Sequence, residues 1–556
     1  MIDSQKIRFF LMIGVALLGY VLFTTWQAEQ AAMAPAPESI TQALSSSATT
    51  GSVDVPFDQI APTNPASPPT VAAPTPADRL IQVNTDVYKL WIDKKGGNIV
   101  KAQLKKYPQK MDTPLEGYRL LEESKERYYV AQSGLINPKG PDNQDAQAVY
   151  NSSQAVYNLD KDQKQLNVDL TWKNEDGIDI IKTFVFHPNS YLINVDYKVN
   201  NPTDVPFKAK LYGQLKRAYA GKTSSGMIGV QMYQGGAVYT PDKPFKKISF
   251  EKMNEEPFSQ NIKGGWAAFL EHYFLSAWVP DQTKNNQYYT KSYPNNQYAI
   301  GTLTDMVVPA KQQGSVGGRF FIGPEITDVL KTVHPGLELT VDYGILWPIS
   351  QVIFTVLKYI HHFVANWGVA VILVTLFIKV LFYKLSASSY RSMGNVKRVQ
   401  PQLEVIKARC GDDKQKMSKE VMALYRKEKV NPLGGCLPML VQIPVFIALY
   451  YVLLESVELR QAPFILWIQD LSSKDPYYIL PIIMGATMLL QQKLNPTPVD
   501  PVQAKVMLFV PVVFTMMFLS FPAGLVLYWV VNNILSMAQQ SLIMHQAKKA
   551  GTISKI

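Results

Sequence analysis

From about residue 344 onward the chain is dominated by long apolar runs, and these constrain its fold more than any average composition does. Five of them, at roughly 367–385, 435–454, 477–490, 506–521 and 524–544, read as membrane spans. The third and fourth are short for a hydrocarbon core of about 30 Å, which wants about 20 residues. Short spans imply a locally thinned bilayer. Hydrophobic residues make up 47% of the 556-residue chain and charged residues 18%, which looks globular. That average conceals a polar first part and an apolar last part.

The length demands at least two structural units. A further apolar run at 9–26, preceded by Lys6 and Arg8, reads as an uncleaved signal anchor with Trp26 at the interface, giving an N-terminal transmembrane helix over 1–27. A cleaved signal peptide is the other reading, since Ala-rich sequence follows. Residues 28–79 are Ala, Pro, Ser and Thr and read as a disordered, extended tether. From 80 to 343 short stretches alternate apolar and polar residues, as in VYKLWI, NIVKAQL, YLINVDYKV and KKISFEKM. They break at turns such as Lys94-Lys95-Gly96-Gly97. This period of two predicts an antiparallel β domain built as a sandwich of large sheets. At 344–363 the period becomes helical. With Lys358, His361 and His362 present, an amphipathic helix lying on the membrane fits better than a span. Adjacent histidines point about 100° apart on a helix, so the pair reads as a solvated helix end rather than a metal site.

Charge sets the orientation. The net charge of +11 would suit nucleic acid or anionic lipid, but the basic residues crowd beside the apolar runs, the pattern of cytoplasmic membrane loops. Loop 386–434 carries Arg391, Lys397, Arg398, Lys407 and Arg409 among others, and the tail, 546–556, adds Lys548, Lys549 and Lys555. Both are therefore placed inside and the β domain outside. With the first run counted, six spans leave both termini in the cytoplasm. Residues 386–410 and 414–429 are helix-prone, with Gly411 as the stop and Asp412 or Asp413 as the next cap. Leu403, Ile406, Met417, Val421 and Leu424 give this cytoplasmic hairpin an apolar seam. It reads as a moving or docking element, the alternative being a connector whose basic ends meet anionic lipid. The two cysteines, Cys410 and Cys436, lie in or beside this loop with no nearby histidine cluster, so neither a disulfide nor a metal site is expected.

Ionisable residues inside spans are costly, at roughly 2.5–3.5 kcal/mol near mid-helix, and so are functional candidates. Lys379 qualifies, with Thr375 one turn before it. It lies six residues from Leu385, about 9 Å along a helix, so taken alone it is balanced against simple snorkelling. Its company tips the balance. Gln442 lies between Pro438 and Pro444 in the next span, and Tyr528, Asn532, Ser536 and Gln540 are spaced by four in the last. A polar stripe in lipid must face protein or water. Three inward polar faces make a hydrated groove open to the cytoplasm, lined by Lys379, Thr375, Gln442, Tyr528, Asn532 and Ser536. Helix–helix hydrogen bonding would explain the stripe but not the lysine. Motifs for metalloprotease, serine hydrolase, P-loop or dinucleotide chemistry are missing, so no catalytic residue, cofactor or metal is expected.

The segments NPLGGCLPMLVQIPVFIALYYVL (431–453), SVELRQAPFILWIQDLSSKDPYYILPIIMGATM (456–488), FPAGLVLYWVVNN (521–533) and GDDKQ (411–415) strongly resemble the YidC/Oxa/Alb family of membrane protein insertases. The resemblance spans essentially the whole chain, and the β domain points to the Gram-negative type. It implies six transmembrane helices with a five-helix C-terminal core (366–545), plus a periplasmic all-β supersandwich domain. It implies a non-enzymatic insertase and chaperone in the bacterial inner membrane, acting on nascent membrane proteins alone or with the Sec translocon and its accessory components. Membrane lipids and the ribosome are further partners it implies, although the tail ends soon after Lys548, short of the ribosome-binding extension of some relatives. Nucleic acid is not one. In the family motif like TFIVRGIMYPL the groove cation is usually Arg; here TLFIKVLFYKL puts Lys379 in that place. Thr375, Gln442, Tyr528, Asn532 and Ser536 fall on the other groove positions, and the basic hairpin on the element thought to receive substrates. A solute or ion transporter is the rival class and requires a polar path through both leaflets.

Overall fold

The computed structural model describes residues 56, 77–143, 147–219, 221, 233–411, 413–428, 430–431, 437–495 and 501–549. The expected N-terminal anchor, nearly all of the Ala/Pro tether and the end of the basic tail lie outside the described residues.

The alternating stretches do form strands. Leu192–Asn201 buries every second residue, with Ile193, Val195, Tyr197 and Val199 turned inward, and Asp179–Phe186 does the same. The strands assemble into a ten-stranded and a nine-stranded sheet whose inner faces share one core. Pairing is antiparallel throughout the long strands, as in Phe207–Ala218 against Gln297–Val308. One exception is the parallel pairing of Leu80–Asn84 with Val156–Asn158 at an edge. The anticipated Lys94–Gly97 turn is present, with Gly96 and Gly97 at φ 72° and 61°, where a side chain would be strained. Helices α1 (Phe250–Glu255) and α2 (Thr327–Val333) decorate this domain.

Helix α3 (Trp347–Val364) follows a 3-10 turn at Gly344–Leu346. It buries Ser350, Ile353, Phe354 and Leu357 and leaves Trp347, Ile349, Val352, Tyr359 and Phe363 exposed. The Ser350 hydroxyl donates to the Ala448 carbonyl at 3.1 Å, which pins α3 to the helical part. Its two histidines part company: His361 stacks on Trp367 at 3.9 Å and His362 turns toward Phe363. Next come α4 (Trp367–Leu381), α5 (Tyr383–Arg398), α6 (Gln400–Cys410) and α7 (Lys414–Lys427). Then come α8 (Leu437–Glu455), α9 (Ile479–Leu494), α10 (Pro501–Phe518) and α11 (Ala523–Lys549). Among the described residues no single helix is both long and apolar enough to cross a membrane. The pair α4–α5 qualifies together but is bent by 68°.

Two helical expectations are corrected. The run at 367–385 is not one helix: α4 ends at Leu381, and Phe382, at φ −92° and ψ 14°, turns the chain into α5. No proline or glycine marks the break. It follows from α5 laying Ser386, Ala387, Ser389, Tyr390 and Gly394 as a buried, mostly small face, with Ala387 and Tyr390 packed on Ile543 of α11. The arm at 386–410 is likewise two helices, broken at Val399, because Pro401 in the first turn of α6 has no amide to give the Lys397 carbonyl and its ring crowds that carbonyl. The hairpin core gathers Val399, Leu403 and Val430 with Val396, Val421, Leu424 and Tyr425. Ile406 and Met417 lie outside it. Asp413 caps α7 as expected, accepting from the Lys416 amide at 2.9 Å.

Candidate functional site

Helix α4 has a wide apolar circumference. Val371, Val374, Thr375 and Ile378 turn inward, while Leu376, Phe377, Val380 and Leu381 are exposed. Lys379 stands on the border between these faces, in the last turn. It lies two residues before the helix end rather than six, because of the bend at Phe382. Its Nζ donates to Ser536 Oγ of α11 at 2.7 Å, and Ser536 in turn donates to the Asn532 carbonyl at 2.7 Å. One turn along α11, the Asn532 side chain accepts a hydrogen bond from Gln442 of α8. Lysine, serine, asparagine and glutamine thus form a continuous polar line joining α4, α11 and α8.

Tyr528 lies beside Gln442, fully buried, with its ring stacked 6.3 Å from that of Phe446. Thr375 is also buried, and its hydroxyl is turned back to its own helix, donating to the Val371 carbonyl at 2.7 Å. Five of the six expected groove residues therefore cluster through side chains. Thr375 does not join them. Gln540, the last member of the stripe, serves elsewhere: it bonds to Gln491, Leu494 and Asn495 and ties α11 to α9. Asn533 does the same through Thr487 at 3.0 Å.

The sequence reading missed the contribution of α5. A pocket around Lys379 is bounded by Phe382, Ser386 and Tyr390 as well as by Ile378, Gln442 and Val445. Tyr390 also faces Ser536, the partner of Lys379. The repeat of small residues at 386, 387, 389 and 394 was the available signal, since such a face lets one helix lie close on another.

Above this polar line, between α8, α10 and α11, the filling is aromatic. Phe446 meets Trp529 at 4.8 Å, Phe518 meets Phe521 at 4.8 Å, and Tyr450 meets Phe521 at 5.6 Å. On the hairpin, Arg391 and Lys407 are exposed and Lys397 is half-buried. Arg398 pairs with Glu428 at 3.4 Å and Arg409 with Glu420, so two of the five expected cations hold the hairpin arms together. Exposed pairs of this kind contribute about 0–1 kcal/mol each.

The sequence model of the YidC periplasmic domain matches residues 80–356, and that of the 60Kd inner membrane protein matches residues 359–550. A membrane protein insertase YidC from Stutzerimonas stutzeri is 46% identical over 552 residues, covering 97% of this chain and 98% of the relative. The one from Legionella pneumophila (strain Paris) is 47% identical over 538 residues, 96% of each. A solved structure described as an active YidC insertase with its first transmembrane domain resolved aligns with 83% of this chain and 92% of its own, at 17% identity and a TM-score of 0.37. The match of both domains in their order, and identity near one half along the full length, mean that the chain belongs to the YidC family of membrane protein insertases.

Proposed function

We propose that this insertase works through the polar line between α4, α8 and α11, with Lys379 as the charge that draws in the substrate. The hydrogen bond from Lys379 to Ser536 carries the reading. It holds an ammonium at the rim of a helix cluster, where a lysine serving only as a snorkelling end would reach past the last turn to water. A nascent membrane protein meets the hairpin α5–α7, and its hydrophilic N-terminal segment enters beside Gln442 and Asn532. Lys379 attracts acidic residues in that segment. At an effective dielectric of about 20 and about 4 Å, such a pair is worth about 4 kcal/mol before desolvation is subtracted. Ser536 holds the ammonium while the groove is empty and passes its own proton to the Asn532 carbonyl, so the charge is available without being stranded.

Helices α9 and α10 have 16 and 18 residues, about 24 and 27 Å of helix. Spans of that length thin the bilayer and lower the barrier to moving a polar segment across. The apolar segment of the substrate then leaves toward lipid between α8 and α10. Both termini and the hairpin lie in the cytoplasm in this scheme, and the Sec translocon, the ribosome and anionic lipid are its further partners.

The test replaces Lys379 by Ala and by Arg in cells depleted of the native protein. We expect Lys379→Arg to support growth and insertion. Lys379→Ala is expected to slow substrates with acidic N-terminal segments about tenfold, as a loss of about 1.4 kcal/mol would. Equal insertion by the two variants removes the electrostatic account. The transporter reading is disfavoured by the aromatic packing of Phe446, Phe518, Phe521 and Trp529, which supplies no polar path. Solute flux through reconstituted vesicles would revive it.

A further inference from the structure

The connection between α8 and α9, residues 456–478, is built more rigidly than a linker needs to be. Asp470 accepts from the Gln461 amide at 3.0 Å, from the Ser472 amide and hydroxyl at 2.8 and 2.7 Å, and from the Ser473 hydroxyl at 2.7 Å. Asp475, buried, accepts from Trp467 Nε1 at 3.1 Å and from the amides of Tyr477 and Leu480 at 3.0 and 2.7 Å. Ahead of both carboxylates the chain folds back on itself, with the Phe464 amide donating to the Ile468 carbonyl at 2.9 Å.

What this scaffold displays is apolar. Pro463–Gln469 reads PFILWIQ and contains no charge. Ile465 is 57% exposed and Leu466 is 71% exposed. Leu466 is also held at φ 55°, a conformation a bulky side chain rarely adopts and one that persists only where the surroundings impose it. A soluble loop gains nothing by straining a leucine outward into water.

The two ends of the loop face different neighbours. On one side Arg460 donates to the Pro108 carbonyl at 2.9 Å, and its guanidinium lies over the rings of Tyr118 and Phe274 at 5.4 and 5.6 Å. All three belong to the β domain. On the other side the Asn366 amide holds the Phe464 carbonyl at 2.9 Å, and Phe464 packs against Gly368, so the apolar tip stands at the start of α4. In a family of inner-membrane proteins that is where a helix meets the surface of the bilayer. Trp467, Tyr477 and Tyr478 are the residue types that favour this depth.

We propose that the loop 456–478 is a lipid-anchored bracket. It inserts Ile465 and Leu466 into the outer leaflet and holds the β domain at a fixed height through Arg460. The occupant of the exposed tip is the hydrocarbon edge of the bilayer, and the bracket is independent of the role given to Lys379.

The experiment uses the full chain with Cys410 and Cys436 replaced by Ser. A cysteine at Leu466 carries a polarity-sensitive fluorophore in vesicles of phosphatidylethanolamine and phosphatidylglycerol. A nitroxide on the lipid acyl chain should quench it strongly and aqueous iodide weakly, with the reverse at Val205, a β-domain turn residue 66% exposed. Quenching at 466 that matches Val205 overturns the proposal. So does protection from both quenchers, which would mean a protein covers the tip. In a second variant, Ile465→Asp with Leu466→Asp should abolish lipid quenching of a probe at Gln469 while leaving the circular dichroism spectrum unchanged. Retained quenching there overturns the assignment of the inserted pair.

Discussion

At the scale of single residues, the chain places two lysines in low-polarity surroundings and treats them differently. Lys379 keeps one hydroxyl partner and lies at the border between the buried and exposed faces of α4. Lys182 is fully buried in the β domain, where its Nζ donates to the carbonyls of Gly96, Gly97 and Ser133 at 3.0, 2.7 and 2.7 Å. It springs from a strand of the nine-stranded sheet and ends on a turn and a strand of the ten-stranded one, so it rivets the two layers. Burial pushes its ammonium below the ordinary lysine value and pushes the nearby Asp142 carboxyl up, while the attraction between the two charges opposes both shifts. Lys182→Met should remove the rivet and strand three carbonyls and a carboxylate. Breaking a buried ionic cluster costs about 3–5 kcal/mol, and the change is expected as a lower melting temperature of the β domain by calorimetry. The sequence carried a sign of this lysine that the reading passed over: in IDIIKTFVF the period of two puts Lys182 on the face of Ile180, Phe184 and Phe186. The meeting of Gln442, Asn532 and Ser536 was also legible: Gln442 between prolines and the four-residue spacing of Tyr528, Asn532 and Ser536 are local signals of a polar face in an apolar helix.

Among the elements, the existence of the helices followed from their apolar runs, while their ends did not. The break at Phe382 comes from the contact of α5 with α11, between residues about 150 apart in the chain, so no local signal could announce it. The break at Val399 was readable from Pro401, and the cap at Asp413 was read. Close packing of helices shows the same division. Gly485 of α9 faces Thr515 of α10, and a Cβ at 485 would lie 2.2 Å from Thr515 Oγ1. The threonine hydroxyl is meanwhile committed to the Pro511 carbonyl at 2.7 Å. Gly485→Leu should therefore push α10 away from α9, at a cost of about 1–3 kcal/mol for overpacking. Heating the detergent-solubilised variant and measuring the monodisperse fraction by size-exclusion chromatography should show the loss. An unchanged profile would mean that α10 has another seat.

For the whole molecule, the decisive feature is the seam that joins the β domain to the helices. Lys358 of α3 pairs with Asp328 of α2 at 2.6 Å, Arg460 holds Pro108, and His272 meets the Leu454 carbonyl at the outer end of α8 at 2.8 Å. His272 is the imidazole among them. A carbonyl can only accept, so Nε2 donates to it and carries the proton of the neutral ring. Burial holds the imidazole below its ordinary value of 6.5, with Arg460 lowering it further against the opposing hydrogen bond. A base whose folded value is depressed binds more protons unfolded than folded, so stability rises with pH across that window. The contribution is complete above 6.5 and is lost as pH falls through the lower folded value. The seam should therefore loosen as pH falls below 6.5, seen as lower amide protection factors, each rate normalised to the intrinsic rate at its pH, in the hairpin formed by Ala267–Glu271 and Phe274–Val279. His272→Gln can still donate to Leu454 but does not titrate. It should hold its protection factors constant across that range, and a wild-type acid response that survives in this variant would assign the effect to another group.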